Sequence, residues 1–416
     1  MADANAESQR ENNQGPSGPV GRDDPTLAVL IVCFLVGVSA FINVYSVQSI
    51  MPILMSDLGA SPVRAGAAVG ATVLAVALAS PFMGMVSDAF GRKGIIIFSV
   101  FFLSVPTGLI FFAQSIEQVI VFRFFQGLVV PGVSVVAMAY IAEEFAGRTM
   151  ARVMGFYISG TIMGGFLGRF IVGHLASLFT WRSAYLVMAA MNLAASAIVF
   201  ARLPASKRFK ADRNVRHELG LLGRHLRNKD ILTSCAVGFC ILFSLVGCFT
   251  YVNIHLSRPP FGMGPAGLAN IFVVYLIGVF IAPVAAGLIR RVGYNGAVIW
   301  ALASSSLGMA ATLIPSAPVV VLGLAMMCTG VFVTQTTTVS FLGAHIAEGR
   351  SLATGLYNMF YYLGGSIGAW VCGYAFVAGE WKAVVGSLVC VQLIACVAAG
   401  VGMRSKPGAA PLPKAR

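Results

Sequence analysis

Apolar stretches of about twenty residues, the length that crosses the hydrocarbon core of a bilayer, recur along this chain between short polar breaks. The pattern predicts twelve membrane-spanning helices, near residues 27–50, 64–84, 94–113, 118–140, 153–177, 182–201, 231–254, 265–288, 296–314, 319–341, 352–377 and 383–402. The longest internal polar segment, 202–230, is basic and reads as a connector between two groups of six spans. This gives a first six-helix bundle over 26–202, a connector over 203–230 and a second bundle over 231–403. The polar ends, 1–25 and 404–416, read as tails, the first of them disordered because it is rich in Asn, Gly and Pro.

The second group of spans repeats the first. Gly155, Tyr157, Gly164, Gly165, Gly168, Gly173 and Trp181 recur 200 residues later as Gly355, Tyr357, Gly364, Gly365, Gly368, Gly373 and Trp381. Spans five and eleven are therefore equivalent. Six intervening spans give them the same direction through the membrane, so the repeat is parallel. Parallel six-helix halves place a site near the midplane, between the halves.

Composition sharpens this picture. Hydrophobic residues make up 58% of the chain and charged ones only 10%, against about 25% charged in soluble domains. Mean hydropathy is +0.85. Too few polar side chains exist to cover a soluble globule of this size. The net charge of +13 could point to nucleic acid, but its distribution excludes that reading. Of the 28 Lys and Arg residues, Arg64, Arg182, Arg258 and Lys382 fall on one side, Arg123 and Arg169 lie inside spans, and the rest gather in alternate loops and the tails. That is the positive-inside bias. It predicts a multi-pass membrane protein with both termini and the connector in the cytoplasm, in contact with anionic lipid rather than DNA.

The eight cysteines all fall in apolar stretches and read as packing residues. No metal-ligand spacing, cofactor motif or phosphate-binding loop is present, so an enzyme and an ATP-driven pump are both disfavoured. His174 and His255 lie near helix ends and read as interfacial.

Three local patterns carry candidate chemistry. Between spans two and three runs Gly84-Met-Val-Ser-Asp88-Ala-Phe-Gly91-Arg92-Lys93. Gly91 allows a tight turn, the two cations hold the loop on the basic side, and Asp88 can face a helix N-terminus or a cation. Span four contains Arg123-Phe-Phe-Gln126-Gly127, and a charge inside a span needs water, a carbonyl or an anion to face. Span five carries Gly160, Gly164, Gly165 and Gly168 followed by Arg169. Small residues at this spacing let backbones approach closely, and Gly364, Gly365 and Gly368 repeat the arrangement in span eleven.

Together these patterns resemble the major facilitator superfamily of transporters. The resemblance implies an all-α fold of twelve helices in two pseudo-symmetric bundles, working without a cofactor or metal. It implies a conformational latch of Gly84, Asp88, Gly91, Arg92, Glu143 and Ser351, with Asp88 near Ser351 at the start of span eleven and Arg92 near Glu143. The second half keeps only Gly287-Leu-Ile-Arg290-Arg291-Val-Gly293, without an acid. The span-five glycines are similar to an exporter motif, although Gly165 replaces a proline and Arg169 the final glycine. A like variant, and Tyr45-Ser-Val-Gln48 at the end of span one, occur in the YnfM-type bacterial efflux branch.

The resemblance implies proton-coupled export of a drug, sugar or metabolite by a protein of the bacterial inner membrane that functions as a monomer, with protons, a small-molecule substrate and the bilayer as partners. The expected substrate cavity comprises Arg123, Gln126, Gln48, Asn43, Asn358, Tyr361 and Arg169. Asn192, Asn253, Gln335 and Tyr362 are further polar groups in spans that could line it or tie helices together. No Asp or Glu lies deep in a span, which leaves proton coupling without an evident carrier. The alternatives are uptake or exchange of a small organic anion, drawn by Arg123 and Arg169, and a non-transporting membrane sensor.

Overall fold

The computed structural model describes residues 26–206, 223–346 and 349–403, which form helices without a strand. Both tails and most of the connector lie outside the described residues, as do the side chains of Asp88 and Ser351.

Helix starts follow the local sequence. Ser61 caps span two, with Pro62 at the first helical position, where its missing N–H costs nothing. Ser115 caps span four, Thr180 and Ser183 form a reciprocal capping box at span six, and the Asn228 side chain accepts from Asp230 and Ile231 at span seven.

In chain order the first half comprises span one (Leu27–Phe41, then Ser46–Asp57), span two (Pro62–Phe90), span three (Arg92–Leu109), span four (Ile116–Glu144), span five (Gly147–Leu178) and span six (Trp181–Arg202). The second half begins with span seven (Lys229–Leu256) and contains span ten (Ala317–His345). Its remaining spans are joined in pairs. The segment from Pro265 to Ala311 holds spans eight and nine, divided at Gly293, whose φ of 73° ends the helix. Arg350–Gly402 holds spans eleven and twelve, divided at Gly379 and Glu380. Divided at these breaks, the helices make the twelve expected crossings.

Span one is not a continuous helix. Its two pieces meet at a 51° bend, and residues 42–45 between them form turns. This break was not anticipated from the sequence, which contains neither Gly nor Pro there.

Spans one and five pack backbone to backbone. A Cβ on Gly160, Gly164 or Gly168 would run into the carbonyl of Phe34, Val38 or Ile42, respectively. Each step is four residues on both helices, so the glycines form a groove for one ridge of span one. The second half repeats the device, with Gly364 and Gly368 against the carbonyls of Phe239 and Phe243 in span seven. The equivalence read from the 200-residue offset is therefore a packing equivalence.

The two halves meet at the end opposite the basic loops. There Ser366 donates to the carbonyl of Gly70 (2.9 Å) and Gln48 to Thr250 Oγ1 (3.0 Å), and the Tyr251 hydroxyl, which donates to the Ala369 carbonyl (2.6 Å), lies 3.4 Å from the carbonyl of Pro62. Gly173 of span five lies close to Ala269 and Pro265 of span eight. At the basic end, Phe82, Met85, Val86 and Phe90 of span two are exposed around the helix, and Gly84, Gly155 and Gly355 have no neighbouring element against them. Among the described residues, the molecule is thus sealed at one end and open at the other.

Six of the cysteines are buried and free, while Cys390 is exposed and Cys396 half-buried on the outer face of span twelve. The expectation of uniform packing roles holds for the six and not for Cys390.

Candidate functional site

A cavity of about 160 Å³ lies halfway along the spans, between the halves. Phe41 and Tyr45 of span one and Thr161, Ile162, Gly165 and Arg169 of span five line it from the first half. Leu242, Leu245, Tyr275, Phe332, Gln335, Tyr361 and Tyr362 line it from the second. The walls are mostly apolar and aromatic, with one cation and a few hydroxyl and amide groups.

Arg169 is the charged member. Its Nε donates to Gln48 Oε1 (2.8 Å), Nη1 to the Gly165 carbonyl (2.6 Å) and Nη2 to Tyr275 Oη (3.2 Å). The guanidinium carbon lies 4.6 Å from the Tyr45 ring, 4.6 Å from that of Phe272 and 4.2 Å from that of Tyr275. Faces of aromatic rings attract a cation through their quadrupoles, and more strongly away from water. The guanidinium is thus held in a box with walls from both halves. Gly165, where the resembling motif has proline, lies beside the guanidinium, and a Cβ there would stand 3.6 Å from Nη1, an ordinary contact.

Arg123 lies elsewhere. It does not line the cavity, contrary to the sequence expectation, and its side chain is fully buried within the first half. Nη1 donates to the carbonyl of Asn43 and to Gln126 Oε1 (2.9 Å), Nη2 to the carbonyl of Val44, and Nε to that of Ala68 (3.2 Å). The physical reason is the break in span one. Residues 42–45 leave backbone carbonyls without helical partners, and in an apolar surround these require donors. The arginine supplies them.

Gln126 and Asn43 belong to the same knot rather than to the cavity. Gln126 donates to Thr107 (2.7 Å), Thr107 to Asn43 Oδ1 (3.2 Å), and Asn43 and Asn192 exchange side-chain bonds at 3.2 Å. Gln48 stands behind Arg169 and bridges it to Thr250. Asn358 is half-buried and outside the lining, whereas Gln335 and Tyr362 are in it. Asn253 bonds the carbonyl of Phe249 in its own helix. Tyr45 was singled out only as part of a motif. Phe272 and Tyr275, the other walls of the box, carry no signal beyond aromatic residues in an apolar run.

At the basic end, Arg92 reaches Glu143 at 2.6 Å and also donates to Ser87, tying the loop after span two to the end of span four. At the sealed end, Arg64 pairs with Glu117 (3.0 Å), Arg182 with Asp57 (2.8 Å) and Arg258 with Glu380 (3.4 Å). Three of the four cations on that side are therefore neutralised locally.

Residues 33–369 match the profile of the Major Facilitator Superfamily. The chain belongs to this superfamily. Full-length relatives agree. A Bacillus subtilis protein described as an uncharacterized MFS-type transporter, YybF, is 29% identical over 89% of this chain and 92% of its own. The inner membrane transport protein YnfM of Escherichia coli is 26% identical over 96% of each chain. Among solved structures, a bacterial homologue of the human lysosomal transporter Spinster, inward-facing and occupied, aligns with a TM-score of 0.75 over 91% of this chain and 98% of its own, at 16% identity. The superfamily's two-bundle fold, its multi-pass place in a bilayer and its role as a small-molecule transporter rather than an enzyme hold for this chain.

Proposed function

We propose that this protein is a secondary active transporter that moves a small organic molecule by alternating access, with one chain as the working unit and the basic end in the cytoplasm. The observation that carries this reading is the closure at one end only: a midplane cavity lined within one chain, sealed on one side by contacts between the halves and, among the described residues, open on the other. The two halves share one packing plan, so rocking one against the other reverses which end is sealed. The charge asymmetry supports the orientation. Arg92 and Glu143 belong to the side that closes when the cavity turns outward, the place of a latch.

Proton-driven export is the direction that the span-five glycines suggested. Those glycines make backbone contacts with span one, a packing role that serves either direction equally. Arg169 in the cavity wall favours a second reading, uptake or exchange of an organic anion. Loading inverted vesicles with a mixed compound panel, with and without an imposed pH gradient, separates the two.

Alternating access itself is tested without knowing the substrate. Spin labels at positions 179 and 263 span the sealed end, and labels at 90 and 344 span the open one. Two populations are expected, with the first distance lengthening as the second shortens when pH or added compounds are varied. A single fixed distance at both ends under every condition would sink the reading.

A further inference from the structure

We propose that the cavity is selective for a small organic monoanion, a carboxylate on an aromatic or branched apolar body, with Arg169 as its recognition residue; this rests on the transporter reading above. Two independent observations lead there.

The first is an unmet set of donors. A guanidinium carries five N–H groups in a planar fork. Arg169 uses one on Nε, one on Nη1 and one on Nη2, so one remains on each terminal nitrogen. Its side chain is buried and borders the cavity. Arg123 is the contrast within the same molecule: Nε and both hydrogens of Nη1 are taken up by carbonyls, Ser46 and Gln126, Nη2 bonds the Val44 carbonyl, and the side chain lies outside the cavity lining. Two free N–H groups, one on each terminal nitrogen, equal in number the two oxygens of a carboxylate.

The second is charge balance. The cavity lining contains no Asp or Glu. Among the described residues, Asp57, Glu117, Glu143 and Glu380 pair with arginines at the two ends of the molecule. The partners of Arg169 are an amide, a carbonyl, a hydroxyl and ring faces, which solvate its charge without cancelling it. A buried charge left uncancelled favours an entering anion and opposes an entering cation.

The remaining walls describe the rest of the ligand. Phe41, Phe332 and Leu245 offer apolar faces to its body, while Gln335, Tyr361 and Tyr362 offer polar atoms at the rim. An inorganic anion would leave these walls unfilled, and a sugar would leave its hydroxyls facing them.

The test uses the purified full chain in lipid nanodiscs and three matched probes: benzoate, benzamide and benzylammonium. Binding is read by calorimetry and by the rise in unfolding temperature. Benzoate is expected to bind about tenfold to a hundredfold tighter than benzamide, the range for a charge-assisted pair, and benzylammonium not at all. Arg169→Gln should bring benzoate down to benzamide, while Arg169→Lys, which keeps the charge and loses the fork, should fall between. Equal binding of acid and amide by the unaltered protein, or no binding of benzoate at millimolar concentration, overturns the proposal. So does a folded Arg169→Gln protein that still prefers the acid. The spin-label distances judge transport by alternating access separately, so anion selectivity can fail while that reading stands.

Discussion

At equivalent depth the two halves handle buried polarity differently. In the first, Asn43, Thr107, Arg123, Gln126 and Asn192 form one network that also caps the break in span one. In the second, the counterpart of Asn192 is Gln392, which among the described residues bonds Ser305 (2.9 Å) and Ser306 (2.6 Å). Tyr157 donates to the carbonyl of Ser134 at 3.0 Å, while its mate Tyr357 is buried with its hydroxyl unpartnered. Ser244, Asn253 and Thr337 of the second half also hold buried polar atoms without partners among the described residues. Arg169 itself corresponds to Ala369. The same helical plan thus yields one half joined by hydrogen bonds around a cation and another held mainly by apolar and small-residue packing. Pseudo-symmetry governs the backbone, and the chemistry is carried by one side.

The largest way to break this contrast is Arg123→Ala. It leaves the carbonyl of Val44 and Oε1 of Gln126 without donors in a dry interior, while the carbonyls of Asn43 and Ala68 keep Ser46 and Thr72, at a cost of about 3–5 kcal/mol. A marked fall in the unfolding temperature of the detergent-solubilised protein is expected, with Arg123→Lys between. An Ala variant that melts with the unaltered protein would show that the first half does not depend on its polar knot.

Next in size is the feature the halves share. Gly168→Ala and Gly368→Ala each place a methyl group against a backbone carbonyl, of Ile42 or Phe243, and each should cost about 1–3 kcal/mol. Similar losses would confirm that packing is symmetric where polarity is not. Gly155→Ala, with open space around it, serves as the control and should not destabilise.

The smallest effect is the most discriminating because it changes sign. Tyr157→Phe removes a made bond and should cost about 1 kcal/mol. Tyr357→Phe removes an unmet hydroxyl and should be neutral or stabilising by up to about 1 kcal/mol. Matching losses in melting experiments would mean that Tyr357 finds a partner in the populated state.

Much of this was legible in the sequence, for reasons of scale. A span is a run of about twenty apolar residues, so number, order and approximate ends follow from composition alone. The repeat was legible because any Cβ at Gly164, Gly168, Gly364 or Gly368 would press on a backbone carbonyl, which favours the same residue in both halves. Arg169 stood out as a charge in an apolar run. So did Arg123, and the sequence could not tell them apart. What separates them is whether carbonyls or a cavity lie opposite, and this depends on a bend between Phe41 and Ser46 that no helix-breaking residue announces. The aromatic box was hidden for a similar reason. Tyr45, Phe272 and Tyr275 come from two helices in different halves, and each alone is an ordinary apolar residue of its span.

The knot around Arg123 also bears on how the chain is made. Ribosomes deliver the spans in order, so span one is in the bilayer before span four emerges. A lone arginine within a span costs about 2.5–3.5 kcal/mol on insertion, and the broken segment of span one carries exposed carbonyls of its own. Each is a liability that the other removes, since the guanidinium binds the carbonyls of Asn43 and Val44. The first bundle therefore has a built-in incentive to assemble while the second is still being synthesised. A nascent chain truncated after span six should already hold its first and fourth helices together.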